Sequence, residues 1–283
     1  MQTLDFARNG EGRVMTDGDG KPRQEFHQFS GIEFKQGVFK CKKHGDVPVQ
    51  VAILHGEQIP PDCPICKREK ERMLSEQEAA RAEEARRSAQ IERYREMNIE
   101  REYWGKTLDD YKPLCESQAM AKAAMSRLIE RKHGKVILLG TNGCGKTNLG
   151  SVAVMALGGL ILTMYEVSTM IRQSYSPLAK RTELEIVGEL ASVPMLFIDE
   201  VGRSKGSAAE LNWLSYVLDK RHQRGLPFGL GSNSHLSRDC PQGRDGCPQC
   251  FEALLGSDIL SRLGQDAEIV TMYDAPDYRR RNR

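Results

Sequence analysis

KVILLGTNGCGKT, residues 135–147, is the stretch on which the reading of this chain turns. It opens as a short apolar run, the pattern of a strand buried on both faces. Gly140 to Thr147 then fit G-x-x-x-x-G-K-[ST] at every position, and a helix is expected from Thr147. Strand, glycine loop and helix in that order make a phosphate-binding turn. Gly140, Gly143 and Gly145 let the backbone wrap phosphate oxygens, with Thr141, Asn142 and Cys144 completing the loop. Lys146 is expected to reach the β and γ phosphates of ATP, and the Thr147 hydroxyl to hold Mg2+.

A second element lies about fifty residues on: MLFIDE (195–200), an apolar strand ending in two acids. Asp199 suits Mg2+ ligation, and Glu200 suits the general base that polarises an attacking water. Asn233 follows the run PFGLGS (227–232). It is either a sensor of the γ-phosphate or a turn former. Arg262, in DILSRLG, is either an arginine finger reaching a neighbouring molecule's nucleotide or an ordinary surface residue. Strands are further expected near Leu160–Met164 and over 268–273, with a helix over 116–132. Strands separated by helix-length segments predict an α/β fold, a parallel sheet with helices on both faces.

The formal net charge of +2 neither advertises nor excludes nucleic-acid binding. No apolar run approaches the roughly 18 to 20 residues of a membrane span. The first residues lack the pattern of a secretory signal, so a cytoplasmic location and no membrane partner are expected. The eight cysteines are then reduced, and clustered ones read as metal ligands.

Residues 1 to about 35 are polar, without periodicity, and are expected to be mobile. Residues 36–68 carry Cys41-x2-His44 and Cys63-x2-Cys66, separated by eighteen residues. That is a four-ligand Zn2+ pattern, suited to a ribbon that is a structural staple rather than a catalytic centre. Neither His27 nor His55 has knuckle spacing. Lys40, Lys42 and Lys43 offer contacts to DNA or to a protein partner. Residues 69–100 are rich in Ala, Glu, Arg and Gln with only a thin apolar stripe, which predicts a solvated linker helix. Residues 101–283 form the nucleotide-binding domain. Within it, Cys240-x6-Cys247-x2-Cys250, with His235, is either a second zinc site or three free thiols in a long loop.

The order GTNGCGKT, MLFIDEVG, GSN, SRLG resembles the AAA+ ATPases, and within them the DnaC-type loaders of replicative helicases, often carried by bacteriophages. REYWGKTLDDYKP (101–113) resembles their entry segment, and MYDAPDYRR (272–280) their closing strand and tail. The resemblance covers roughly residues 100–283. It implies ATP hydrolysis, a hexameric replicative helicase and single-stranded DNA as partners, and homo-oligomers joined through Arg262. It also implies a domain without a C-terminal helical lid. In the loaders, a helix after the second strand carries an aromatic that meets single-stranded DNA. Arg172 and Tyr175 occupy the corresponding place here, where Tyr175 either stacks on a base or packs. Two alternatives stand beside the loader. One is a transposition-helper ATPase of the IstB type. The other is a zinc-dependent DNA-binding adaptor that uses ATP as a clamp.

Overall fold

β4 (Lys135–Gly140) is buried at every residue, because it lies between two parallel neighbours, β7 (Phe228–Ser232) and β8 (Ala267–Met272). The coordinates are a computed structural model. It describes residues 32–54, 56–202, 208–240, 247, 250–264 and 267–278, without the side chains of Ala208, Ala209, Ser257, Asp258 and Arg262. The chain divides into two compact units, Met1–Glu84 and Ala85–Arg283.

The larger unit holds a five-stranded parallel sheet. Its remaining strands are β5 (Gly159–Thr163) and β6 (Met195–Val201), and the order is β5-β6-β7-β4-β8. Alternate residues of β4 serve opposite layers. Ile137 and Leu139 join a core with Leu196, Ile198, Phe228 and Leu230. Val136 and Leu138 join the other with Phe197, Val270 and Met272. The first layer is completed by α4 (Met164–Ser174), α5 (Glu183–Leu190), α6 (Ala208–Gln223) and α7 (Phe251–Gly264). The second is completed by α2 (Glu116–Arg131) and α3 (Lys146–Leu157). Helices on both faces explain why the strands read as continuous apolar runs instead of alternating ones.

Three local devices hold this unit. Thr163 and Thr182 form capping boxes with Glu166 and Glu185, starting α4 and α5. Arg221, only 1% exposed, donates to the carbonyls of Leu190, Val193, Pro194 and Pro227. It thereby ties the end of α5 to the entries of β6 and β7, and burial lowers its guanidinium to about 10. Ile161 of β5 donates its amide to the Met97 carbonyl, while the Asn98 side chain donates to the Ile161 carbonyl. That covers one sheet edge.

The smaller unit is a hairpin of β1 (Ile32–Cys41) and β2 (Gly45–Leu54), paired from Ile32↔Leu54 to Cys41↔Gly45 and extended by β3 (Glu57–Gln58). The hairpin starts inside the segment expected to be mobile. Most of β1 is exposed, Ile32, Phe34 and Val38 included, so its apolar residues do not mark a buried face. Residues 1–31 of that segment, with His27, lie outside the described residues, as does His55. The charged helix, expected from Glu69, starts earlier: α1 spans Pro64–Glu96 with no buried residue. No helix among the described residues is long and apolar enough to cross a membrane.

Candidate nucleotide site and metal centres

The glycine loop turns between β4 and α3 with Gly143 and Gly145 at φ +78° and +103°. Those are backbone conformations that glycine adopts without a Cβ penalty. A Cβ at Gly145 would stand 2.5 Å from the Tyr111 ring, and one at Gly143 would collide with the Asp277 carboxylate. Tyr111 and Gln118 both donate to the Cys144 carbonyl, at 3.0 and 3.2 Å. Tyr278 donates its amide to the Gly143 carbonyl at 3.1 Å. The segments entering and leaving the domain therefore both close on the loop. Burial pushes the Tyr111 phenol and the Cys144 thiol up, so both stay protonated at neutral pH.

The expected site residues converge. Lys146 Nζ donates to the carbonyls of Gly140 and Thr141, both at 2.9 Å, and to Asn233 Oδ1 at 2.8 Å. Asn233 Nδ2 donates to Asn142 Oδ1 at 2.9 Å. Asn233 is thus held against the loop from a different strand, rather than serving only a turn. Thr147 Oγ1 donates to Asp199 Oδ2 at 2.5 Å, and Asp199 is 4% exposed. A hydroxyl and a buried carboxylate so close are the oxygen pair that a Mg2+ ion beside phosphates requires.

Glu200 is re-aimed by a bulge. Ile198 pairs with Leu230 and Val201 with Ser232, so Asp199 and Glu200 together face Gly231. Glu200 takes a left-handed φ of 56° as a result. Asp199, Glu200, Lys146, Thr147 and Asn233 all line one cleft of about 530 Å3, together with Tyr103, Tyr111 and Tyr278. Tyr111, Gln118, Asp277 and Tyr278 were not assigned individually from sequence. Tyr111, Asp277 and Tyr278 lie within the quoted entry and tail segments, whose likeness to the loaders is their signal; Gln118 lies on α2, where the sequence marks only a helix. Arg262 falls on α7 as expected, and its side chain is outside the described residues.

In the smaller unit, Cys41, His44, Cys63 and Cys66 place their ligand atoms within 4.8 Å of one another. The first pair sits at the hairpin turn. The second lies at the first turn of α1, where the Cys66 amide points at Cys63 Sγ at 3.5 Å, instead of on a second knuckle. His44 Nδ1 faces the three sulfurs at 3.3 to 3.6 Å, while its Nε2 meets Glu69 at 3.2 Å. A carboxylate behind a ligating imidazole fixes its tautomer, as zinc sites require. The backbone amides of Lys43 and His44 lower the Cys41 thiol to about 6, and its hydrogen bond to Cys41 pushes Cys66 up to about 11. His235, Cys240, Cys247 and Cys250 also converge, their ligand atoms within 4.8 Å.

Arg172 and Tyr175 lie on α4 and its C-terminal end. Tyr175 is exposed and donates to Glu183 at 2.8 Å, and Arg172 lies 5.9 Å from the Tyr165 ring centre. Tyr175 therefore does not pack in the core.

No family model matches the chain. The replicative helicase loader DnaC of Escherichia coli K12 is 22% identical over 183 residues, covering 62% of this chain and 69% of the relative. DnaC of Buchnera aphidicola (Acyrthosiphon pisum) is 24% identical over 186 residues, covering 62% and 70%. A crystal structure of a DnaC helicase loader superimposes with TM-score 0.50 at 18% identity, covering 61% of this chain and 99% of that one. A DNA replication initiation factor superimposes with TM-score 0.47 at 18% identity over 60% of this chain, which spans about half (50%) of that structure. The parallel sheet and the loop that opens α3 agree with the likeness to DnaC: the larger unit is similar in sequence and fold to the replicative helicase loader DnaC.

Proposed function

We propose that this chain is an ATPase that loads a replicative helicase onto DNA. The observation that carries the reading is the convergence of Lys146, Thr147, Asp199, Glu200 and Asn233 on one cleft, in a domain similar to the loaders. ATP would lie with its phosphates on the amides of residues 140–147. Lys146 would exchange its two loop carbonyls for β and γ phosphate oxygens. Thr147 and Asp199 would hold Mg2+, which neutralises charge on the phosphates. Asn233, already bonded to Lys146, would position the attacking water, and Glu200 would take its proton. Arg262 of a neighbouring copy would face the γ-phosphate, so that ATP assembles the copies.

The α4 face supplies a reading for DNA. Tyr165 and Tyr175 are 67% and 63% exposed, and Arg172 stands between sequence neighbours able to stack on bases. The smaller unit and α1, with no buried residue, are the natural helicase-binding part.

The test is the mass of a mixture with the replicative helicase of the host cell, with ATP and without. An ATP-sensitive complex of defined stoichiometry, lost in Lys146→Ala, is expected. No association under any nucleotide condition would sink the helicase assignment and favour the transposition helper. A stable ATP complex with unchanged DNA binding and no turnover would favour the ATP-clamped adaptor.

A further inference from the structure

His235, Cys240, Cys247 and Cys250, between β7 and α7, bring four side chains of metal-ligating type together. His235 follows Asn233 by two positions, and Cys250 immediately precedes α7. His235 Nε2 lies 3.2 Å from Cys240 Sγ and 3.6 Å from Cys247 Sγ. Cys247 and Cys250 are 6% and 2% exposed. The backbone is drawn in as well. His235 and Cys250 form a parallel bridge, and Phe251 donates its amide to the His235 carbonyl at 2.8 Å. The Glu252 carboxylate accepts the Ser237 amide at 2.9 and 3.0 Å.

Three thiols and one imidazole gathered this tightly are a Cys3His donor set, which Zn2+ takes in tetrahedral sites. We propose that His235, Cys240, Cys247 and Cys250 bind one structural zinc ion that ties the exit of β7, which carries Asn233, to the first turn of α7, which carries Arg262. All four coordination positions come from the chain, so the metal has no open site for water and acts as a clasp. Its placement gives the clasp a purpose. On one side, the Asn233 side chain bridges Lys146 and Asn142. On the other, α7 is broken at Gly256, at φ 76° and ψ 163°, into the clasped turn and the segment bearing Arg262. Leu255, Ile259 and Leu263 are buried on both sides of that break. The zinc therefore sets the distance between the γ-phosphate sensor and the helix that presents the arginine. The roles of those two residues rest on the ATPase reading; the metal site does not.

The full chain is purified as wild type, as Cys63→Ser/Cys66→Ser and as Cys247→Ser/Cys250→Ser, and its metal is counted by plasma mass spectrometry. About two zinc ions per chain are expected in the wild type and about one in each variant. Cobalt substituted into Cys63→Ser/Cys66→Ser should give thiolate-to-cobalt charge-transfer bands and tetrahedral visible bands. A Cys63→Ser/Cys66→Ser protein without zinc, or with cobalt spectra lacking thiolate bands, overturns the site. Zinc is then stripped from that same variant and amide hydrogen exchange is followed. Exchange should rise roughly tenfold over residues 228–240 and 250–264, with little change over 135–150. Unchanged exchange in those two segments overturns the clasp. Metal count and exchange are read without nucleotide, so a wild type that does not turn over ATP would count against the ATPase reading alone.

Discussion

The acid pair on β6 is the sharpest case of chemistry set by single residues. Asp199 sits within 2.5 Å of the Thr147 hydroxyl, whereas Glu200 is turned into the cleft by a left-handed backbone. A non-glycine residue in that conformation costs roughly 1–2 kcal/mol. Strain of this kind persists where the surrounding structure over-determines it, which is common at functional sites. Glutamine keeps the size and polarity of Glu200 but cannot accept a proton. Glu200→Gln should therefore slow phosphate release by about 10²- to 10⁴-fold, while a fluorescent ATP analogue binds within about threefold of wild type. Turnover within a few-fold of wild type would remove Glu200 from the role of base.

At the scale of elements, β7 is a strand whose composition answers its neighbour. A Cβ at Gly229 would meet the Phe197 ring at 2.4 Å, and one at Gly231 would meet Asp199 Oδ1 at 2.2 Å. The same ring would be 2.6 Å from a Cβ at Gly150 of α3. Phe197 thus nests among glycines of β7 and α3, and Asp199 reaches Thr147 only because Gly231 leaves room. Gly231→Ala should displace the Asp199 carboxylate. A stability loss of about 1–3 kcal/mol, typical of overpacking, is expected by urea denaturation. The magnesium-dependent part of ATP binding should fall at least about tenfold, an effect equivalent to 1.4 kcal/mol. Unchanged magnesium dependence would mean that Asp199 is not the metal ligand.

For the whole molecule, the division between Glu84 and Ala85 falls inside α1. The first cysteine cluster lies wholly in one unit and the nucleotide cleft wholly in the other. A small module of one hairpin and a helix start has too little core to fold without a metal at such a cluster. Cys63→Ser/Cys66→Ser should therefore lose the fold of the smaller unit, read as lost protease resistance of residues 32–66. Its affinity for ATP should stay within about threefold of wild type, since units with separate cores respond independently. A larger loss of affinity would mean that the smaller unit supports the cleft.

Local spacing was enough to read much of this chain. GTNGCGKT between a strand and a helix, MLFIDE as a strand ending in acids, and the two Cys-x2 pairs are recognisable because short-range geometry ties a few adjacent residues to one ligand. The buried strands were legible for the same kind of reason, since a strand covered on both faces must be apolar throughout. Other features join residues remote in the chain and needed the sheet order β5-β6-β7-β4-β8 to bring them together. The bulge opposite Gly231, the Asn233–Lys146 bond and the tail closing on Gly143 are of this kind. Each depends on which strands become neighbours and in what register, a choice made by packing two cores at once rather than by any local stretch of sequence.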